Sequence, residues 1–563
     1  MAPRLQFFVV SYIKPNSVVT TTSRKSTMAD RATADEKAEA SVQHYDSVDL
    51  TNKALNEGAK QATAAEHNLT FLQAIKTYKR AAIWSVLIST TVIMEGYDVT
   101  LLGSFFGYPE FQKKYGYLTE NDGWQLDANW MSNLNVIAAV GNIIGAMLNG
   151  YLTAKFGHRI VLMGSMVLLV GFIFIVFFAQ SIEVMFVGTL FCNIPWGVFA
   201  TSGPAYAAEV APLALRGYLT AYVNLCWCIG QFISAGVLKG LVNVPNQWSY
   251  RVPFAIQWVW PIPLTIFVYL APESPWFLVR SGKLEEAKKS LMRLSAPEHD
   301  IDYNAQIALM VHTNQLEKEE RKGVNYYDAF RGTNRRRTEI ACMAFLSQIT
   351  NGGALCYSGS FFFQQTGIDA STSYGISLGG TGIAFVGTII SWFYLSKFGR
   401  RTIWFTGFSF LVLILLLIGI LATVPNQTKS LAWAQSLLTI VWLGAYSMSV
   451  GPIVYTIVAE IGSTRLRTQT VVLARSTYYV GNIICGGLIQ PRLLSPTAWN
   501  AKGKTAWFWF VLAFWTNVWG YFRLPETKDR TFEELDIMFQ KGVSARKFAD
   551  YQIDVDEEFS TQR

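Results

Sequence analysis

The sequence predicts an all-α polytopic membrane protein whose twelve transmembrane helices form two six-helix bundles. Three observations carry that expectation. Only 15% of the 563 residues are Asp, Glu, Lys or Arg, against about a quarter in a soluble chain, and 51% are apolar. The charge that exists is crowded into residues 1–80, 272–338 and 523–563. Apolar stretches of about twenty residues lie between, the length that crosses a hydrocarbon core of roughly 30 Å. Finally, several motifs of the first half recur in the second at offsets of 242 to 253 residues.

Taken in order, the chain opens on a polar tail, residues 1–80. Its one apolar patch, Leu5 to Val10, is too short to span, and Met28 is a second candidate start; no cleaved signal is expected. Spans of the first bundle (81–271) are expected near 81–103, 128–152, 160–179, 183–205, 218–240 and 252–271. A central loop, 272–338, carries twelve Lys/Arg and ten Asp/Glu, and its Lys283 to Arg293 segment reads as an amphipathic surface helix. The second bundle (339–523) follows, with spans near 340–363, 375–395, 402–423, 432–456, 468–489 and 505–522, and then a tail, 524–563. An even number of spans puts both tails and the central loop on one side. The basic clusters Lys76, Lys79 and Arg80, Arg335 to Arg337, and Arg523, Lys528 and Arg530 make that side the cytoplasm. Asn426-Gln-Thr428 then lies in an outer loop as a glycosylation acceptor close to the membrane.

Composition also excludes. The net charge of +8 is explained by basic flanks facing anionic lipid rather than by nucleic acid, because no basic-aromatic strip accompanies it. All six cysteines fall inside expected spans, and Cys226-Trp-Cys228 has the wrong spacing for a redox or zinc pair. With five histidines and no nucleotide loop or nucleophile–base pair, neither an enzyme, a cofactor nor a metal site is expected.

The repeats are specific. Lys155-Phe-Gly157-His-Arg159 returns as Lys397-Phe-Gly399-Arg400-Arg401, Glu209 with Arg216 as Glu460 with Arg467, and Pro272-Glu-Ser-Pro275 as Pro525-Glu-Thr-Lys528. A duplicated six-helix unit implies two bundles rocking about a site at the membrane midplane. The turns offer cations to carboxylates on the tail side, which pairs Glu209 with Arg467 and Glu460 with Arg216, and adds Arg159 and Arg400 to the network.

Together with Glu95-Gly-Tyr-Asp98, Pro195-Trp-Gly197, Ala211-Pro-Leu-Ala-Leu-Arg-Gly217, Tyr222-Val-Asn-Leu-Cys-Trp227, Leu473-Ala-Arg475 and Pro496-Thr-Ala-Trp-Asn500, these motifs give the chain a resemblance to a known family. Over about residues 80–545 it resembles the sugar-porter branch of the major facilitator superfamily, in particular the fungal maltose/α-glucoside permeases. The resemblance implies the major facilitator fold, a plasma-membrane location, and symport of an α-glucoside disaccharide with protons by a chain expected to work as a monomer. It also implies that the tail-side charges latch the outward-open state. The acidic residue that usually precedes Lys155 and Lys397 is replaced by Ala154 and Ser396, which loosens that latch.

Glu95 and Asp98 lie three apart on one face of the first span. A carboxylate inside the membrane is costly unless paired, hydrated or protonated, so the pair reads as proton-carrying, with Arg475 of the eleventh span as counter-charge. The resemblance agrees, since α-glucoside symporters carry two acids and an arginine at matching positions. Their third acid, in the second span, is Asn142 here, and the fourth-span arginine of other proton-coupled sugar porters is Thr189. A facilitative sugar transporter and a transporter-like sugar sensor therefore stay open as alternatives. A sugar site needs amides for hydroxyls and aromatic faces for the ring. Gln231 matches the family's fifth-span glutamine; Gln348, Asn351 and Tyr357 of the seventh span, Tyr455 of the tenth, and Tyr478, Tyr479 and Asn482 of the eleventh complete the expected set.

Overall fold

The computed structural model describes residues 71–120, 123–295, 302–321, 326–463, 466–528, 530 and 532–551. The Leu5–Val10 patch and Met28 lie outside the described residues.

Each of the twelve expected spans is helical. The first bundle comprises Lys79–Phe105, Ala128–Phe156, His158–Phe177, Ile182–Val210, Leu213–Leu241 and Trp248–Leu270. In the second, Ala370–Lys397, Arg400–Thr423, Lys429–Ile461 and Thr505–Arg523 are the eighth, ninth, tenth and twelfth spans. The seventh is broken into Gly332–Thr350, Gly353–Tyr357 and Gly359–Gln365. The eleventh runs as Arg467–Gly481, a π-helical stretch Asn482–Ile489 and Gln490–Leu494. Helices overrun the expected bounds because they continue past the hydrocarbon into the interface.

Eight helices among the described residues are long and apolar enough to cross a membrane by composition alone. The fifth, seventh, eleventh and twelfth spans are not among them, and the first three of these carry Gln231, Gln348, Asn351, Arg475 and Asn482. Polar side chains of this kind are tolerated in a membrane protein where a span lines a polar interior.

Within the first bundle, glycines set the closest approaches. A Cβ at Gly96 would strike the Trp227 carbonyl, and one at Gly230 the Ile93 carbonyl, so the first and fifth spans touch backbone to backbone. Gly145 and Gly197 do the same for the second and fourth spans, against Ile194 and Asn142. The seventh span breaks at Gly352, whose φ of 87° suits glycine, and Asn351 Oδ1 accepts the Gly353 N–H at 2.8 Å.

The bundles meet through the fifth and eighth and the second and eleventh spans. Lys239 Nζ donates to the Ser371 carbonyl at 2.6 Å and to its hydroxyl at 2.8 Å, Ala128 N to Thr497 Oγ1 at 3.0 Å, and the Tyr374 hydroxyl to the Ser104 carbonyl. Cys228 Sγ and Thr388 Oγ1 lie 3.4 Å apart deeper in the membrane. Among the described residues, every hydrogen bond joining the bundles lies between the midplane and the end away from the tails. The bundles are joined at that end. A two-stranded hairpin, Tyr117–Thr119 paired with Gly123–Gln125, sits on the same side.

Candidate functional site

Glu95 and Asp98 are both half-buried, one helical turn apart on the first span. Asp98 Oδ1 accepts a hydrogen bond from Gln257 Nε2 of the sixth span at 2.7 Å. Tyr97, between the two acids, points away and donates its hydroxyl to the Pro253 carbonyl at 2.8 Å, which fixes the first span against the sixth.

Arg475, expected as a direct counter-charge, is held differently. Its guanidinium lies over four rings, those of Tyr478 at 4.9 Å, Tyr479 at 5.1 Å, Phe345 at 5.5 Å and Tyr455 at 6.0 Å. Its Nη1 donates to the Tyr455 hydroxyl at 3.3 Å. Glu95 is within electrostatic reach of both Arg475 and Asp98, yet neither acid forms an ion pair with Arg475 among the described residues. Aromatic faces take over the solvation that a carboxylate would otherwise provide.

The expected sugar residues gather around that aromatic box unevenly. Tyr455 is 49% exposed and Tyr357 39%, so both present rings to the cleft. Tyr357 makes an edge contact with Tyr446 at 6.2 Å, and Tyr446 stacks on Trp442 at 5.3 Å. Gln348 spends its amide on the Gly451 carbonyl at 3.0 Å, bracing the tenth span beside the kink at Ser449. Asn351 is fully buried with its Nδ2 unpartnered, as is Trp442 Nε1. Gln231 is 3% exposed and its amide makes no hydrogen bond among the described residues. Asn482 opens the π-helical stretch, a distortion that widens the local backbone next to a site.

Asn142 and Thr189, where titratable residues were sought, form a neutral seam. Asn142 Nδ2 donates to Asn193 Oδ1 at 3.3 Å, and Asn193 Nδ2 to the Thr189 carbonyl at 2.8 Å. Asn142 Oδ1 is buried without a partner.

On the tail side each carboxylate is satisfied within its own bundle rather than across the cleft. Glu209 accepts from Ser274 and Arg280 and pairs with His158 Nε2 at 3.4 Å. Glu460 pairs with Arg400 at 3.1 Å and accepts from Thr527 Oγ1 at 2.6 Å. Arg159 instead donates to the Val268 and Tyr269 carbonyls at the end of the sixth span. The side chains of Arg216 and Arg467, expected across the cleft, lie outside those described.

Sequence reasoning missed Gln257, Phe345, Tyr446, Trp442, Arg280 and His158. Gln257 was findable as a buried-span amide one bundle face from Asp98. His158 was findable because the repeat aligns it with Arg400, but nothing in the spacing flags Phe345 or Trp442 among 37 Phe and 18 Trp.

The sequence profile of the family described as "Sugar (and other) transporter" matches residues 84–539. An α-glucosides permease of Saccharomyces cerevisiae is 37% identical over 508 residues, 88% of this chain and 84% of its own. A maltose permease of the same organism is 36% identical over 513 residues, 90% of this chain and 83% of its own. Among solved structures, a partially occluded inward-open form of the xylose transporter XylE from E. coli aligns with a TM-score of 0.65 at 17% identity, over 81% of this chain and 99% of that one. The proton:xylose symporter XylE bound to 6-bromo-6-deoxy-D-glucose aligns with a TM-score of 0.63 at 19% identity, over 82% and 100%. These likenesses show the major facilitator fold.

Proposed function

The chain belongs to the sugar (and other) transporter family, and we propose that it moves an α-glucoside of the maltose type together with protons by alternating access. The observation that carries the proton is the Glu95/Asp98 pair, left free by an arginine that aromatic rings already stabilise. Maltose-type permeases at 36–37% identity over most of the chain support the sugar class. The site would combine Gln231, Gln348 and Asn351 as hydroxyl partners with Tyr357, Tyr455, Tyr478, Tyr479 and Asn482 lining the cleft.

In this scheme the bundles 81–271 and 339–523 rock about the midplane, the basic clusters hold the tails and the 272–338 loop in the cytoplasm, and the protein resides in the plasma membrane. Protonation of the acids removes a charge that would otherwise be dragged through a closing, low-dielectric cleft. Sugar binding draws the two halves together. The tail-side networks around Glu209 and Glu460, with Arg159, Arg216, Arg400 and Arg467, are the gate that must rearrange when that side closes.

Uptake of labelled maltose by a transport-null host tests the proposal. Accumulation that is faster near pH 5 than near pH 7 and collapses with a protonophore is the expected result. Saturable uptake indifferent to both would favour a facilitator, a reading that the neutral Asn142–Asn193–Thr189 seam keeps in play. Absence of α-glucoside uptake despite surface expression would overturn the sugar class.

A further inference from the structure

We infer that Gln257 is the positioning residue that holds the Asp98 carboxyl for proton loading and release, a role that rests on the proton-symport reading above. Three observations converge on it. First, Gln257 supplies the hydrogen bond that Asp98 receives, at 2.7 Å, from a different span, while being 5% exposed itself. Second, it sits where the sixth span loses its α-helical form. The helix Trp248–Ile256 gives way to a 3-10 turn, Gln257–Val259, before the chain resumes at Pro261–Leu270. Pro261 cannot continue the preceding hydrogen-bond ladder, so the backbone under Gln257 is a joint. Third, Tyr97, next to Asp98 on the first span, donates its hydroxyl to the Pro253 carbonyl of the sixth at 2.8 Å, so the two spans are fastened one turn before this joint.

The groups facing Asp98 leave its charge state to few influences. Glu95 and Tyr97 come from its own span, Cys192 from the fourth and Gln257 from the sixth, with Arg475 beyond Glu95 in its aromatic box. None of the immediate neighbours is a cation. An amide suits a carboxyl that must exist in two forms, because it carries both a donor and an acceptor. With Asp98 ionised, Gln257 Nε2–H donates to Oδ1. When a proton from the outer aqueous phase binds Asp98, the amide turns and its Oε1 accepts the new O–H. The proton later leaves to the inner phase and the donor returns. No bond of Gln257 is made or broken, and one proton enters and one leaves per cycle. Because Tyr97 pins the first span to Pro253 one turn away, a change at the 257–259 joint moves Gln257 relative to Asp98 while the helices stay in register.

The test compares wild type, Gln257→Leu, Gln257→Asn, Asp98→Asn and the double variant Gln257→Leu/Asp98→Asn in the transport-null host. Labelled-maltose uptake is measured from about pH 4.5 to pH 8, with surface abundance and maltose exchange as controls for folding. Loss of a donor to the ionised carboxylate is expected to move the midpoint of the uptake–pH profile of Gln257→Leu by about one pH unit toward alkaline, about tenfold in proton affinity. Gln257→Asn, which keeps the amide on a shorter stem, should recover part of that shift. Exchange by the double variant should equal that of Asp98→Asn alone. An unmoved midpoint with uptake reduced equally at every pH, or additive losses in the double variant, overturns the role of Gln257 while leaving symport standing. A wild type whose uptake ignores pH overturns both.

Discussion

Four rings, from Phe345, Tyr455, Tyr478 and Tyr479, surround the Arg475 guanidinium at 4.9 to 6.0 Å. Each such contact is worth about 0.5–2 kcal/mol once water is excluded. Together they offset much of the cost of a membrane-buried cation without an ion pair, so protonating Glu95 or Asp98 does not strand Arg475. The seam between the second and fourth spans uses neutrality. Asn142 offers its amide N–H to Asn193 and leaves Oδ1 buried without a partner. Converting that oxygen to an ionisable one adds a second proton site beside the first. Asn142→Asp is therefore expected to steepen the pH dependence of uptake and to lower uptake at least several-fold near pH 7, where the new charge would be stranded in the seam. Initial rates across pH, compared with wild type at equal surface abundance, decide this. An unchanged slope would show that the seam is outside the proton route.

At the scale of elements, the repeated turns have a common physical basis. The third span begins at His158, and Glu273 accepts the backbone N–H of His158 at 3.1 Å and of Arg159 at 3.2 Å. The ninth begins at Arg400, whose N–H is accepted by Glu526 at 2.7 Å. In each half a carboxylate from the end of the sixth helix caps the start of the third, adding a favourable charge at the positive end of the helix dipole. The glycine before each cap follows from this. A Cβ at Gly157 or Gly399 would collide with the capping carboxylate, and Gly157 also has a φ of 84°. Glu526→Gln should cost about 1 kcal/mol and lower the melting temperature of the detergent-solubilised protein by a few degrees. Gly157→Ala should cost more, because strain and collision add. Equal melting temperatures for Gly157→Ala and wild type would contradict the cap.

This cap also shows how far the sequence could be read. The Lys-Phe-Gly and Pro-Glu-Ser motifs were visible as two separate repeats, since each recurs at an offset of 242 or 253 residues. That they are two faces of one contact, 115 residues apart in the chain for His158 and Glu273, was not visible. Helix count and class were legible because hydropathy is a local property. Glu95 and Asp98 were legible because charge in an apolar span stands out. Gln257, Phe345 and Trp442 were not, since an amide or ring in a span looks ordinary until the fold decides which way it faces. The surroundings of Arg475 were not legible for the same reason: opposite charges suggested a pair, and only the packing reveals the four rings around its guanidinium.

The whole molecule is joined at the end away from the tails, where bonds from the first, second and fifth spans reach the second bundle, while on the tail side Glu209 and Glu460 are each paired within one half of the chain. Alternating access requires the joined end to part and the tail end to meet. The hydrogen bonds at the joined end are few, and packed rings such as Tyr108 against Tyr374 at 5.3 Å accompany them. Lys239 on Ser371, with its charged donor, is worth about 1.5–3 kcal/mol, and Ala128 on Thr497 and Tyr374 on Ser104 about 0.5–1.5 kcal/mol each, a scale that sugar or proton binding can outweigh. Ala128→Cys paired with Thr497→Cys tests whether that end must open. The backbone N–H of one residue lies 3.0 Å from the side-chain oxygen of the other, so the two positions are direct neighbours across that end. The six native cysteines are free and none is exposed, so an oxidant of low permeability would act on the introduced pair. Oxidation is expected to cut maltose uptake at least tenfold, and a reductant to restore it, while either single variant stays insensitive. Full uptake by the cross-linked protein would mean that the second and eleventh spans stay together throughout the cycle. Opening would then have to occur at the Lys239–Ser371 side, by a hinge about the 128–497 contact instead of a symmetric rocking of the two bundles.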